Sequence, residues 1–240
     1  MELPAGAEIV LNVFEQKKYP WKRRARRHLV RTLPNLWRGI ALNPYIQSKT
    51  GDRDQVDYER AHFFPDGNSE LPDEFPTVHV HSVNDADAQT KLAAKAPDIL
   101  CVYGTGKIYP PIFEQPPMGT LNAHGGLLPD YRGLDTNLWA AYEGKPDAMA
   151  VTIHQIDTDL DTGPIYLMQR IKPVTGLNLS NLRYHATLLS TQLFLDTITG
   201  ILDGSLKASR QTGTGRYFGP MPTLLKRRAN DRIKAWAAGA

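Results

Sequence analysis

Three side chains near the middle of the chain have the types and spacing of an acyl-transfer site: Asn122, His124 and Asp161. Asn122 and His124 are two apart, so on a strand they project to one side. Asp161 lies 37 residues beyond His124, in Asp157-Thr-Asp-Leu-Asp161-Thr-Gly163, a turn between two predicted strands that can fold back over the first loop. Moving an acyl group onto an amine requires donors for a carbonyl oxygen that turns negative. It also requires a base titrating near neutrality to take the proton of the attacking nitrogen, and imidazole is such a base. A carboxylate then orients the imidazole or relays the proton. Asn, His and Asp supply one of each, and no Ser or Cys nucleophile is needed when the amine attacks directly. Taken alone, Asn-x-His with a distant Asp also suits turn residues that satisfy their own backbone.

Other chemistry-bearing residues point elsewhere. His79-Val-His81 has a strand spacing that suits a metal, but no further Cys or His cluster joins it, so no metal is expected. Asp157-x-Asp159-x-Asp161 resembles the start of a calcium loop. Such a loop wants Gly sixth and Glu twelfth, where this chain has Thr162 and Met168. The single cysteine, Cys101, lies in the apolar run 99–103 and reads as a small buried hydrophobe, and one thiol closes no internal disulfide. Lys107 and Arg132 suit either an anionic part of a ligand or a surface ion pair.

These residues need elements to hold them. At 240 residues, with 41% apolar and 22% charged side chains, the chain can bury a core without staples. No apolar stretch reaches the length of a membrane span, and no cleavable leader is evident, so a cytoplasmic protein is expected. Residues 7–14 read as a buried strand. Residues 20–33 read as a helix with a basic outer face, including Lys22, Arg23, Arg24, Arg26 and Arg27. Residues 43–76, polar and rich in Asp, Pro and Gly, read as irregular. Strands follow at 77–81, 99–103, 120–122, 148–156 and 165–171. Helices are expected from Asn84 or Asp85 to about Ala96, over 136–142, and over 179–202, where Leu182, Leu189 and Leu193 recur at helical spacing. This alternation predicts an α/β fold, a Rossmann-like and mainly parallel sheet flanked by helices. The expected division is an α/β domain over 1–204 with an extension over 205–240 packed on it. Ligands in such sheets sit beyond the carboxyl ends of the strands, where Asn122 and Gly104 fall.

The run Leu121-Asn-Ala-His124-Gly-Gly-Leu-Leu-Pro-Asp-Tyr-Arg-Gly133 resembles the signature Asn-x-His-x-x-Leu-Leu-Pro-x-x-x-Gly of the tetrahydrofolate-dependent formyltransferases. The run Val151-Thr-Ile-His-Gln-Ile-Asp-Thr-Asp-Leu-Asp161-Thr-Gly163 resembles that family's second segment, and the likeness extends over about 78–171. The resemblance implies that Asn122, His124 and Asp161 are catalytic and that N10-formyltetrahydrofolate is the formyl donor. It implies that the backbone of Val102, Tyr103, Gly104, Thr105, Gly106, Lys107 and Ile108 reads the pterin, with Asp157, Thr158 and Asp159 as the other wall. Arg132, Gly125 and Gly126 are expected on the acceptor side.

The sequence also departs from the family pattern. The family's sheet usually begins with a strand and helix before the unit placed at 7–14, and that unit is expected to be missing or replaced. The Gly-Ser-rich phosphate loop of glycinamide-ribotide enzymes is absent. The residues after the long helix are too few for the C-terminal barrel of methionyl-tRNA formyltransferases. Gly125-Gly126 stands where many relatives have Pro-Ser or Gly-Ser. The expected acceptor is therefore a small-molecule amine, an amino sugar linked to a nucleotide. The basic segment 17–28 would meet its phosphates, with no nucleic acid and no membrane as partner, and with room for a homodimer. Hydrolysis of the donor, transfer to glycinamide ribotide or methionyl-tRNA, and folate binding without catalysis are the alternatives.

Overall fold

The computed structural model describes residues 3–15, 44–69 and 74–239. The chain runs through β1 (Asn12–Glu15), α1 (Pro44–Phe63), β2 (Thr77–Val80), α2 (Ala86–Lys95), β3 (Leu100–Val102) and a short α3 (Pro110–Phe113). It continues through β4 (Thr120–His124), β5 (Tyr131–Gly133), α4 (Thr136–Tyr142), β6 (Ala150–Gln155), β7 (Ile165–Arg170), α5 (Leu182–Leu202), β8 (Arg216–Phe218) and α6 (Thr223–Ala238). The α/β class expected from the sequence is the one observed, with a mixed sheet. The central ladder has the order β3-β4-β6-β7, parallel between β3 and β4 and antiparallel across β6. β1 pairs with β2, and β5 with β8, both in parallel.

Local signals account for many boundaries. The Asp85 carboxylate accepts from the amide of Ala88 and starts α2, and Ala96 ends it in a left-handed conformation. Along α5 the buried residues are Leu182, Ala186, Ser190, Leu193, Thr197 and Gly200, a stripe at helical spacing that packs on β6 and β7. The segment after Gly204 joins the same core. Phe218, Met221, Ala229, Ile233 and Ala237 lie in one apolar cluster with Leu121, Val151 and Ile153 of the central sheet. A smaller cluster joins β2, α2, β3 and α3 through Val80, Leu92, Val102, Ile112 and Phe113.

Four expectations change. The strand at 7–14 is confined to Asn12–Glu15, and Phe14 is 46% exposed, because only these four residues find a partner, in β2. The segment 43–76, expected to be irregular, contains the twenty-residue α1. α1 has no apolar stripe to announce it. Its end is held by distant groups instead: Glu59 pairs with Arg183, and Tyr58 and Phe63 meet the Tyr184 ring at 5.5 and 4.7 Å. The strand at 99–103 is shortened to β3, and Cys101 is exposed on it rather than buried. The expected helix at 20–33 and the basic segment 17–28 lie outside the described residues. Among the described residues, no helix is long and apolar enough to cross a membrane.

Candidate active site

β4 runs two residues past the expected strand, so His124 sits on the strand itself. Strand alternation puts Thr120, Asn122 and His124 on one face and Leu121 and Ala123 on the other. The antiparallel register sets Asn122 opposite His154 and His124 opposite Thr152. Two imidazoles and a carboxamide therefore share one face of β4 and β6. The Asp157–Gly163 turn folds back over that face and brings Asp161 to them.

Asp161 is the hub. Its Oδ1 lies 3.5 Å from Nδ1 of His124 and 3.6 Å from Nε2 of His154, and its Oδ2 accepts the amide of Gly133 at 2.8 Å. Asp161 has φ +58°, a left-handed backbone that side-chain-bearing residues seldom adopt and that clusters at functional sites. Gln211 holds the strained turn by donating to the carbonyls of Asp161 and Gly163, at 3.0 and 2.8 Å. Burial pushes the Asp161 carboxyl up. The His154 and His124 imidazoles that face it and the Gly133 amide outweigh burial and hold it below its ordinary value.

The carbonyl partners fix both imidazole tautomers. Nε2 of His124 is 2.7 Å from the carbonyl of Tyr131, which can only accept, so Nε2 carries the hydrogen and Nδ1 the lone pair. Burial pushes the proton affinity of His124 down, against the opposing pull of Asp161, and the ring is neutral near pH 7. In His154, Nδ1 donates to the Gln155 carbonyl at 2.9 Å, which leaves Nε2 to accept from the Asn122 carboxamide at 3.1 Å. Sequence reasoning missed His154. Its signal was the alternation Thr152-Ile-His154, but only the β4–β6 register shows that this face meets Asn122.

Close packing sets two glycines. A Cβ on Gly126 would come within 2.7 Å of His124 Nε2 and of Thr136 Oγ1, so this residue packs under the imidazole and is buried. Gly133 has φ +101°, and a Cβ there would meet the Phe218 carbonyl at 2.2 Å. Gly125 is exposed, and its carbonyl accepts from Thr136. Arg132 is half-buried, and its Nε is buried without a hydrogen-bond partner.

The expected donor wall leaves the end of β3. Val102 and Ile108 are buried, while Tyr103, Gly104, Thr105, Gly106 and Lys107 are exposed. Gly104 takes φ +66°, and Asn84 clasps the loop's far end by donating to the Lys107 carbonyl and accepting the Tyr109 amide, each at 2.8 Å. In the other wall, Asp157 accepts from Thr162 Oγ1 at 2.7 Å and from the Asp159 amide at 3.2 Å. Thr158 and Asp159 are exposed. A cavity of about 470 Å³ opens on the reverse face of β4. Tyr103, Gly104, Ala123, Gly125 and Gly133 help line it, whereas Asn122, His124 and Asp161 do not. Among the described residues, no group of three or more His, Cys, Asp or Glu side chains is placed to hold a metal ion.

Comparison with known proteins follows the same stretch of chain. Residues 53–196 match the model of a family described as formyl transferase. A methionyl-tRNA formyltransferase of Desulfotalea psychrophila is 35% identical over 166 residues, 69% of this chain and 50% of the relative. The chain thus spans about half the length of the curated relatives it matches. A solved 4-N formyltransferase from Francisella tularensis shares the fold at a TM-score of 0.51 and 15% identity, over 75% of this chain and 73% of that one. The formyltransferase PseJ from Anoxybacillus kamchatkensis, solved with UDP-4,6-dideoxy-4-formamido-L-AltNAc and tetrahydrofolate, is 25% identical. It has a TM-score of 0.49, with 68% and 80% of the two chains covered.

Proposed function

This chain belongs to the formyl transferase family, and we propose that it moves a formyl group from N10-formyltetrahydrofolate to a primary amine by direct attack. The observation that carries the reading is the buried cluster in which Asp161 ties together His124, His154 and the Gly133 amide beside Asn122. The amine nitrogen attacks the formyl carbon, and a C–N bond forms as the carbonyl oxygen turns negative. One N–H of Asn122 is held by His154, and the second meets that oxygen. The nitrogen's proton passes to the free Nδ1 of His124, and the imidazolium so formed faces the Asp161 carboxylate. Collapse breaks the bond to N10, which takes a proton, and tetrahydrofolate leaves. His154 is a positioning residue for Asn122. The exposed backbone of 103–107 and the turn at 157–159 form the donor walls, since a flat pterin is read by edge donors and acceptors.

The acceptor reading shifts from the one expected above. The sequence by itself favours a nucleotide-linked amino sugar. The curated relatives are named for methionyl-tRNA, and that supports the α-amine of an aminoacyl-tRNA as the better reading. The deciding assay supplies formyltetrahydrofolate with methionyl-tRNA in one arm and nucleotide-linked amino sugars in the other, and follows tetrahydrofolate release. Formylated amine with release lost in His124→Ala is the expected result. Formate release without any acceptor would make the protein a hydrolase. Donor binding without turnover, unchanged in His124→Ala, would make it a binding protein.

A further inference from the structure

The outer face of the β5–β8 ladder is not used by the chemistry above, and it carries an unusual pair. Arg132 and Tyr217 are register partners on adjacent parallel strands. They share a face, because Tyr131 and Phe218 stack on the other one at 5.2 Å. Among the described residues, the Arg132 guanidinium has no ion pair, and its Nε is buried and unbonded. A half-buried cation with no partner is costly unless an anion completes it. Tyr217 is 54% exposed, and its ring edge lies beside Gly133, 3.0 Å from where a Cβ would stand. The pair is tied to the reaction centre by its chain neighbours. The Tyr131 carbonyl accepts from His124, and the Gly133 amide holds Asp161. Arg132 sits between these two residues, and Gln211, upstream of β8, braces the Asp161 turn.

We infer that Arg132 and Tyr217 form the acceptor subsite, taking a nucleoside phosphate with the phosphate on the guanidinium and the base stacked on the phenol ring. An arginine and an exposed tyrosine at one register position suit that ligand, since arginine recognises phosphate through paired N–H donors and rings stack on bases of any sequence. The inference rests on the transfer reading and extends it by naming what carries the amine. The donor is served by walls at the end of β3 and at 157–159. The shared chemistry covers both the terminal nucleotide of an RNA and a nucleotide-linked sugar.

The test titrates the full chain with AMP, UMP, adenosine and inorganic phosphate, and measures acceptor and donor KM in the assay above. Arg132→Gln should weaken AMP or UMP binding by about 10-fold or more, with Arg132→Lys recovering part of it. Tyr217→Ala should weaken nucleotide binding by about 5-fold or more while leaving inorganic phosphate unaffected, and Tyr217→Phe should bind as wild type does. Acceptor KM should rise in step and donor KM should not. Tighter AMP than UMP binding identifies an RNA end as the source, and the reverse a uridine-linked sugar. Unchanged nucleotide affinity in Arg132→Gln overturns the inference, and so does a rise in donor KM alone, which would mark a folate-tail site. If wild type transfers no formyl group yet nucleotide binding follows Arg132 and Tyr217, the transfer reading fails and the subsite stands. If transfer proceeds and the variants bind as wild type does, the reverse holds.

Discussion

The two apolar clusters hold the molecule with different firmness. In the larger one, Leu121, Ala141, Met149, Val151, Ile153, Ala229 and Ile233 are fully buried, and β4 and β6 are covered by α4, α5 and α6. In the smaller one, Val80 and Leu92 are well buried, but its outermost strand, β1, carries an exposed Phe14 and its inner strand, β3, an exposed Cys101. All four residues of the candidate centre, Asn122, His124, His154 and Asp161, belong to the firm region, while the expected donor loop at 103–107 belongs to the looser one. A strained carboxylate such as Asp161 persists only where its surroundings over-determine it. The walls that admit a large ligand gain from looser packing.

That contrast can be broken, most forcefully at the centre. His124→Ala should lower kcat by about 1,000-fold, the scale of a lost general base, as single-turnover assays would report. A rate within tenfold of wild type would remove His124 from its role. His154→Ala should lower kcat less, by about 10-fold, with donor affinity kept, because it acts through Asn122. A fall as deep as that of His124→Ala would make it a second base.

Packing comes next. Ile153→Ala, in the firm cluster, should cost about 3–4 kcal/mol in urea unfolding, and Leu92→Ala, in the smaller one, about 2–3 kcal/mol. Equal costs would show that the two clusters are equally well packed.

Acid should weaken the centre. The folded-state proton affinity of His124 lies below the ordinary 6.5, so between that lowered value and 6.5 the unfolded chain binds a proton that the folded chain does not. The stability this group contributes is full above 6.5 and is lost as pH falls through the folded value. Asp161, also depressed, acts in the same sense, losing its contribution below its ordinary 3.8. The difference in unfolding free energy between wild type and His124→Asn should therefore shrink from pH 7 to pH 5, and the acid limb of kcat should fall below 6.5. A limb above 6.5 would mean that Asp161, not burial, dominates His124.

The smallest effect is expected at α1. Glu59→Gln removes a partly exposed ion pair with Arg183 and should cost under about 1 kcal/mol, seen as faster hydrogen exchange in 53–63 with the rest unchanged. Faster exchange elsewhere as well would tie α1 to the core more closely than its contacts suggest.

Much of the candidate centre was legible in the sequence. Asn122 and His124 could be paired by strand alternation and Asp161 by the turn that carries it, and the two motifs gave the family. His154 was not legible, although it is nearly buried at 2% exposure, because a histidine in an alternating strand looks the same whichever strand it faces. α1 escaped for a related reason. Its polar residues lack a stripe, and its end is held by an arginine and a tyrosine on α5, far along the chain.

Short-range physics therefore lies within reach of the sequence: the Asp85 cap, the helical stripe of α5, the alternation of β4 and the α/β order of elements. Each depends on residues a few positions apart. Tertiary structure alone decided the rest. The β4–β6 register set His154 against Asn122, the left-handed turn carried Asp161 between two imidazoles, and the pairing of β8 with β5 set Tyr217 beside Arg132. Register and loop closure are settled by which distant surfaces bury each other, and no local window of residues contains that information.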